Sequence, residues 1–181
     1  MKKNILILLT AAAIGFALPS TVEARGTVEL NGQPVPVANS ITVLQQGDMQ
    51  MFETERKALL AKVKLTDKPL PYKTVAEIPD AVALGYGDCK SVAIAFRKIL
   101  LSKGFFEDSL LLAQLHTEKG DQHAVLIIRA ANGTKPVNYV FDTRTNKLET
   151  VEDSLRAGYK YFAIESVPGG PFIGWNGQKY I

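Results

Sequence analysis

The chain has 181 residues, 46% of them hydrophobic, and a formal net charge of +3 at pH 7. This near-neutral balance argues against nucleic acid or an anionic membrane surface as a partner, because both are bound by strongly basic faces. A chain of this length can bury one sizeable core without disulfides, and its single cysteine, Cys89, excludes an internal disulfide altogether.

Residues 1–24 have the layout of a secretory signal peptide. Two lysines give a basic start, residues 4–18 are almost wholly apolar, and Val22 and Ala24 fit a small-residue cleavage site. The apolar run is shorter than the about 20 residues of a membrane-spanning helix, although an uncleaved anchor is the alternative. We therefore expect a periplasmic or secreted protein, with no stable membrane insertion after cleavage.

The next segments predict little regular structure apart from one helix. Residues 25–44 are rich in glycine, proline and asparagine, which predicts an extended, weakly ordered N-terminal arm. Residues 45–63 carry apolar side chains near helical spacing, which predicts a helix with Asp48 as its N-cap. Residues 65–87 contain three prolines and two glycines, so we expect a loop-rich segment with a short helical turn at 79–83.

The most regular helical pattern in the chain follows Cys89. Apolar residues from Val92 to Leu100 recur at i, i+3, i+4, i+7 and i+8, which gives the helix one apolar face. Asp88 is a favoured N-cap residue, and Gly104 stands where a C′ glycine ends a helix. Cys89 is therefore expected in the first helical turn, where the positive end of the helix dipole stabilises a thiolate.

A run of strands follows this helix. Apolar and β-branched residues predict four strands, at 110–116, 123–129, 137–143 and 159–166. Residues 150–157 predict a short capped helix that is closed by Gly158. Helices followed by antiparallel strands predict an α+β domain over residues 45–181, with a helix packed on one face of the sheet.

The dipeptide Asn132-Gly133 predicts a tight hairpin turn between two of these strands. A two-residue turn there would place His123 directly opposite Asp142, with their Cβ atoms about 5 Å apart. A slip of one residue would turn the aspartate to the other face of the sheet, and Pro136 makes a longer loop the alternative.

An aspartate beside a histidine is what a cysteine nucleophile requires. Asp142 would orient the imidazole of His123, which would take the thiol proton of Cys89 and later protonate the leaving group. The backbone N–H of the cysteine is a natural oxyanion donor. Gly85 and Gly87 would let the chain turn sharply and leave room for a substrate backbone, and Gly87 and Asp88 are the residues expected to position the substrate.

Each of these residues also has a purely structural interpretation. The cysteine could be a small residue at a helix start, the histidine could bond to backbone within its strand, and the aspartate could end a strand in a turn. A zinc site is disfavoured, because one cysteine and two histidines supply few ligands.

Three stretches, GYGDCKSVAIAFRKILLSKGF, HAVLII and YVFDTRTNKL, resemble the bacterial transglutaminase-like cysteine proteinases over roughly residues 70–166. The resemblance implies a papain-like or transglutaminase-like fold, a triad of Cys89, His123 and Asp142, and peptide-bond hydrolysis. It also implies work in the periplasm, where the best-known branch of the family releases large biofilm adhesins.

One feature departs from that branch, in which acidic residues after the cysteine help to bind a regulatory calcium ion. This chain has Lys90 and Ser91 at those positions. A lysine opposes the binding of Ca²⁺, which requires several oxygen ligands. We therefore expect no metal and no cofactor, and the adhesin substrate does not transfer directly.

The sequence thus predicts an exported thiol hydrolase, a cysteine endopeptidase that forms a thioester acyl-enzyme with a protein or peptide substrate. Two alternatives stay open. The chain could be a catalytically weak exported binding module that retains the fold. It could also be a protein transglutaminase, in which an amine replaces water in the second step.

Overall fold

The computed structural model describes residues 21–22, 26–30, 33–37, 41–72, 74–145 and 147–181. The described residues include four α-helices: α1 (Asp48–Lys62), α2 (Ala81–Leu84), α3 (Cys89–Ser102) and α4 (Val151–Arg156). They include these strands: β1 (Thr21–Val22), β2 (Gly26–Leu30), β3 (Gln33–Val37), β4 (Ile41–Val43), β5 (Lys64–Leu65), β6 (Tyr86–Gly87), β7 (Leu110–His116), β8 (Gln122–Asn132), β9 (Lys135–Phe141), β10 (Glu149–Thr150), β11 (Lys160–Glu165) and β12 (Phe172–Gly174). The predicted α+β class is confirmed.

The main sheet has eight strands, in the order β1-β4-β8-β7-β11-β12, with β9 on the other edge of β8 and β10 beside β9. Pairing along β7, β8, β9 and β11 is antiparallel. Strands β2 and β3 form a separate two-stranded sheet, and so do β5 and β6. No helix in the described part of the chain is long and apolar enough to cross a membrane.

The predicted signal peptide lies largely outside the described residues. Most of the predicted arm is described, and residues 26–30 and 33–37 form β2 and β3. Residues 41–43 of the arm form β4, which pairs in parallel with Ala130 and Ala131 of β8. Thr42 is buried there, and its hydroxyl lies 2.8 Å from the hydroxyl of Ser109. This strand continues the edge of β8 beyond the end of β7, so it covers backbone groups that would otherwise lack partners. The division at residue 45 stays a prediction.

Both faces of the central strands are buried, because their residues alternate between two apolar clusters. One cluster joins α1 and α3 to one face of the sheet and includes Phe52, Val92, Phe96, Leu112 and Leu126. The other joins α4 and the C-terminal segment to the opposite face and includes Val125, Ile127, Val151, Ile164 and Trp175. The predicted packing of α3 on one face is confirmed, whereas the layer on the opposite face was not predicted from the sequence.

The predicted register of the β8–β9 hairpin is wrong by two residues. The strands pair Asn132 with Lys135, so the turn is Gly133-Thr134, and Pro136 lies within β9 opposite Ala131. The glycine takes a positive φ of 61° as the first turn residue, which it does without steric cost. A shift of two residues preserves the face on which every side chain lies, because side chains alternate with a period of two.

The loop after β9 is anchored to α1 by two hydrogen bonds. The buried guanidinium of Arg56 donates to the carbonyl of Thr145 over 3.1 Å, and Leu148 N–H donates to the carboxylate of Glu53 over 2.7 Å. Asp48, the predicted N-cap of α1, is instead its first residue. Gly47 takes the cap position, and the carboxylate of Asp48 accepts from the backbone N–H of Gln45.

Candidate active site

Cys89 is the first residue of α3, and Asp88 is the N-cap, as predicted. One oxygen of the Asp88 carboxylate accepts from the backbone N–H of Ser91 over 2.9 Å and from its hydroxyl over 3.0 Å. The other oxygen accepts from Leu70 N–H over 3.1 Å. These bonds use a buried carboxylate to fix the start of the helix, and Cys89 stands half-buried at that start.

Gly87 permits close packing next to the cysteine. A Cβ atom at this position would lie 2.5 Å from the hydroxyl oxygen of Ser91 and 2.8 Å from the Cβ of Ala81. The space beside the glycine is therefore occupied by protein atoms. Neither Gly87 nor Asp88 lines the pocket around Cys89, and the substrate-positioning role expected of them stays a prediction.

His123 and Asp142 lie together, although they are not directly opposed. Strand β9 pairs with β8 only along residues 126–132, so the histidine lies beyond the paired segment and reaches the aspartate diagonally. The Nε2–H of His123 donates to Oδ1 of Asp142 over 2.7 Å, and their side chains are 8% and 2% exposed. Because Nε2 is engaged, Nδ1 is the ring nitrogen that remains for Cys89.

Two further donors hold the aspartate. The backbone N–H of Arg144 donates to Oδ1 of Asp142 over 2.8 Å, and the hydroxyl of Tyr159 donates to Oδ2 over 2.9 Å. The tyrosine side chain is buried in the apolar cluster that joins α4 and the C-terminal segment to the sheet. With both carboxylate oxygens engaged, the aspartate fixes the orientation of the imidazole.

The electrostatics of this group favour a charged histidine. Burial opposes protonation of His123, but hydrogen bonds and charges from Asp142 and Cys89 outweigh it and raise the pKa of the imidazole from 6.5 to about 9. Burial likewise works against ionisation of Asp142, yet the bonds from His123, Arg144 and Tyr159 lower the pKa of its carboxyl group. An imidazolium beside the thiol is the arrangement that stabilises a thiolate.

A cavity of about 110 Å³ opens beside these residues. It is lined by Cys89, His123 and five further residues, Lys90, Gln114, Gln122, Ala124 and Phe162. Four residues around the site were not predicted from the sequence: Gln114, Gln122, Phe162 and the buried Tyr159. Gln114 carried a usable signal, since it is a polar residue within the apolar strand LLLAQLH; the others are brought to the site by the fold.

Phe162 reaches the pocket through an irregularity in β11. The pairing of β11 with β7 shifts between Tyr161 and Ala163, so Phe162 is an extra residue on its strand. Such bulges commonly redirect a side chain. The ring of Phe162 lies 5.0 Å from the ring of His116, which is half-buried.

Lys90 places a cation beside the cysteine. Its ammonium lies 3.7 Å from the second carboxylate oxygen of Asp88 and 4.9 Å from the centre of the Tyr72 ring. Burial lowers the pKa of this lysine. Among the described residues, no three His, Cys, Asp or Glu side chains form a group that could hold a metal ion. The ammonium beside Asp88 opposes the binding of a second cation to that carboxylate.

Two solved structures of one bacterial protein are similar to this chain. A calcium-bound structure of Legionella pneumophila LapG is 16% identical, with a TM-score of 0.53, over 73% of this chain and 71% of that one. Another structure of Legionella pneumophila LapG is 15% identical, with a TM-score of 0.49, over 64% of this chain and 64% of the LapG chain. A search of curated proteins finds no match.

The similarity at under 25% identity shows the fold, which is transglutaminase-like. Residues 39–169, well over half of the chain, match the family described as "Bacterial transglutaminase-like cysteine proteinase BTLCP". The resemblance noted in the sequence is thereby confirmed, and the chain belongs to the family of bacterial transglutaminase-like cysteine proteinases.

Proposed function

We propose that the protein is an exported cysteine endopeptidase in which Cys89 is the nucleophile, His123 the acid and base, and Asp142 the orienting carboxylate. The observation that carries this proposal is the short bond from His123 Nε2 to Asp142, which leaves Nδ1 as the ring nitrogen available to Cys89, a residue of the same pocket. Export rests on the charge and apolar pattern of residues 1–24.

In the first step, the thiolate of Cys89 attacks the carbonyl carbon of a peptide bond. A C–S bond forms, and the carbonyl π electrons move to oxygen. The C–N bond then breaks as the imidazolium of His123 passes its Nδ1 proton to the departing amine. The products of this step are a thioester on the cysteine, a neutral histidine and a free amine.

In the second step, water attacks the thioester. The neutral imidazole of His123 takes one proton from the water, a C–O bond forms, and the C–S bond breaks to release the thiolate of Cys89. The histidine is then an imidazolium again and the new carboxylic acid leaves. The net change is the addition of one water molecule across one peptide bond.

The pocket favours this hydrolysis over the two alternatives. A transglutaminase must admit a lysine amine as the second nucleophile, and the Lys90 ammonium that lines the pocket repels a protonated amine. A binding module without activity does not need a buried carboxylate held by three donors behind its histidine. The family match supports protein and peptide chains as the proposed substrates.

Cleavage can be tested without knowing the substrate. In the cell that makes this protein, we expect the Cys89→Ser variant to lose specific new protein termini in the periplasmic and extracellular fractions. The measurement is a comparison of termini by mass spectrometry between wild type and variant at equal abundance. Identical termini in the two samples would count against proteolysis.

Calcium should not control the site. We expect the chelator EGTA to change the rate at which iodoacetamide labels Cys89 by less than about twofold, because the Lys90 ammonium already lies beside Asp88. Titration calorimetry with Ca²⁺ should give no heat of binding. Loss of labelling in EGTA that is restored by added Ca²⁺ would contradict this prediction.

A further inference from the structure

We propose that Gln114 is a catalytic residue, whose side-chain NH₂ donates the second hydrogen bond to the oxyanion of the tetrahedral intermediate. The first donor is the backbone N–H of Cys89. This inference rests on the proposed function, because it assigns a role within the same reaction, and it goes beyond the Cys89, His123 and Asp142 assignment.

The position of Gln114 within β7 is unusual for a polar residue. Its neighbours Ala113 and Leu115 are fully buried, and Leu112 is 1% exposed. Gln114 itself is half-buried and lines the pocket. A long amide in the centre of an apolar strand normally costs stability unless its polar atoms are satisfied, which calls for a reason at this position.

The sheet leaves open space around this amide. Across the strand pairs, Gln114 lies opposite Ala124 of β8 on one side and Ala163 of β11 on the other. Cross-strand partners share a face, and two alanines beside a glutamine leave a recess over the sheet. Ala124 lines the same pocket as the nucleophile, so this stretch of the sheet forms part of the pocket that holds Cys89.

The amide lies on the face of the sheet that carries α3. Leu112 is two residues away along β7, so it shares a face with Gln114. It packs in one cluster with Val92 and Phe96 of α3. Gln114 is the next residue along this face, and Cys89, at the start of α3, lines the same pocket.

The amide of Gln114 is also free to donate. Among the described residues, no hydrogen bond to its side chain is formed within the protein, whereas His123 is bonded to Asp142, and Lys90 is paired with Asp88. A primary amide offers two N–H donors. A half-buried donor without a protein partner, beside a nucleophile, suits a charge that appears only during the reaction.

The chemistry requires such a donor. When the thiolate attacks, the carbonyl oxygen becomes an anion and needs hydrogen bonds that are already in place. The N–H of Cys89 belongs to the first turn of α3, where backbone donors have no partner within the helix. One such N–H and one side-chain amide make a two-donor oxyanion hole.

The test separates two reactions of the same thiol. Iodoacetamide alkylates Cys89 by displacement at a saturated carbon, so no oxyanion forms, whereas acylation by p-nitrophenyl acetate passes through one. We expect Gln114→Ala to slow acylation about 100-fold while changing alkylation by less than about twofold. Gln114→Glu, which keeps the shape but replaces the donors by a carboxylate, should slow acylation at least as much.

Gln122→Ala is the matched control, since it removes the same amide from an exposed position in the same pocket. We expect it to slow acylation by less than about threefold. Unchanged acylation in Gln114→Ala, or equal losses of acylation and alkylation, would overturn the inference while leaving the nucleophile in place. A wild-type protein that reacts with neither reagent would overturn the proposed function as well.

Discussion

Replacing His123 with alanine should lower the rate at which iodoacetamide labels Cys89 at pH 7 by about tenfold or more. The reagent reacts with the thiolate, and in the wild type an imidazolium beside the sulfur stabilises that form. Asp142 and Cys89 raise the pKa of His123 to about 9, so the histidine is charged at pH 7. Alanine removes the charge, and mass spectrometry of the labelled protein over time gives both rates.

The charged His123 beside Cys89 also predicts how the effect of His123→Ala on labelling depends on pH. Because the pKa of His123 in the folded protein is about 9, its imidazolium persists across neutral pH. The ratio of the labelling rate in the wild type to that in His123→Ala should therefore stay close to its value at pH 7 between pH 6 and pH 8, and it should fall as pH rises through about 9.

Stability should follow from the same raised pKa. The stabilisation that the charged histidine contributes is fully present below pH 6.5, and it is lost as pH rises through about 9. The free energy of unfolding in urea should therefore fall more between pH 6.5 and pH 9 in the wild type than in His123→Ala.

His116→Ala is the control for both measurements, because His116 is the other histidine of the chain and does not line the pocket. It should keep the wild-type labelling rate and the wild-type fall in the free energy of unfolding between pH 6.5 and pH 9, even where loss of its ring contact with Phe162 lowers that free energy. If iodoacetamide does not label Cys89 in the native wild-type protein, the proposal that Cys89 is the nucleophile is wrong. Equal labelling rates in the wild type and in His123→Ala would exclude an ion pair between Cys89 and His123.

Local signals were enough to predict the elements that carry the site. The helix start at Cys89 follows from an N-cap aspartate and a five-residue apolar face, and the structure has it at the predicted residue. The strand at 110–116 also agrees with its prediction, because its apolar run is bounded by turns. These features depend on neighbours in sequence, which the sequence displays directly.

The contact between His123 and Asp142 was predicted correctly, although the predicted β8–β9 register is wrong. The predicted turn lay one residue too early in the chain, which shifted all pairs by two. Only the alternation of side chains kept the two residues on one face. The contact of Tyr159 with Asp142 had no such local rule, since it depends on how β11 and its preceding turn pack against the end of β9.

Charged residues in the core were also hidden from the sequence. Glu165 ends a strand and Arg97 lies within α3, positions that an amphipathic pattern assigns to solvent, yet they are 0% and 6% exposed. The glutamate bonds to the guanidinium, and it also accepts from the backbone N–H groups of Leu112, over 2.8 Å, and Gly169, over 3.1 Å. Only the folded arrangement brings these four groups together.

This ion pair gives the largest expected effect on stability. Glu165→Gln keeps the size of the side chain but leaves the Arg97 guanidinium buried without a counter-charge. Breaking a buried pair from one side costs about 3–5 kcal/mol, so we expect a loss of that order in the free energy of unfolding, measured in urea. Arg97→Met combined with Glu165→Gln should lose less than Glu165→Gln alone, because no buried charge remains.

Lys98→Met is the matched control on the same helix. Lys98 pairs with Asp80 over 2.9 Å, but their side chains are 56% and 42% exposed, so its replacement should cost less than about 1 kcal/mol. If Glu165→Gln unfolded no more easily than Lys98→Met, the buried pair would not hold the core together. Because the pair ties α3, which carries Cys89, to the strand of Phe162, its loss should also slow labelling of the cysteine.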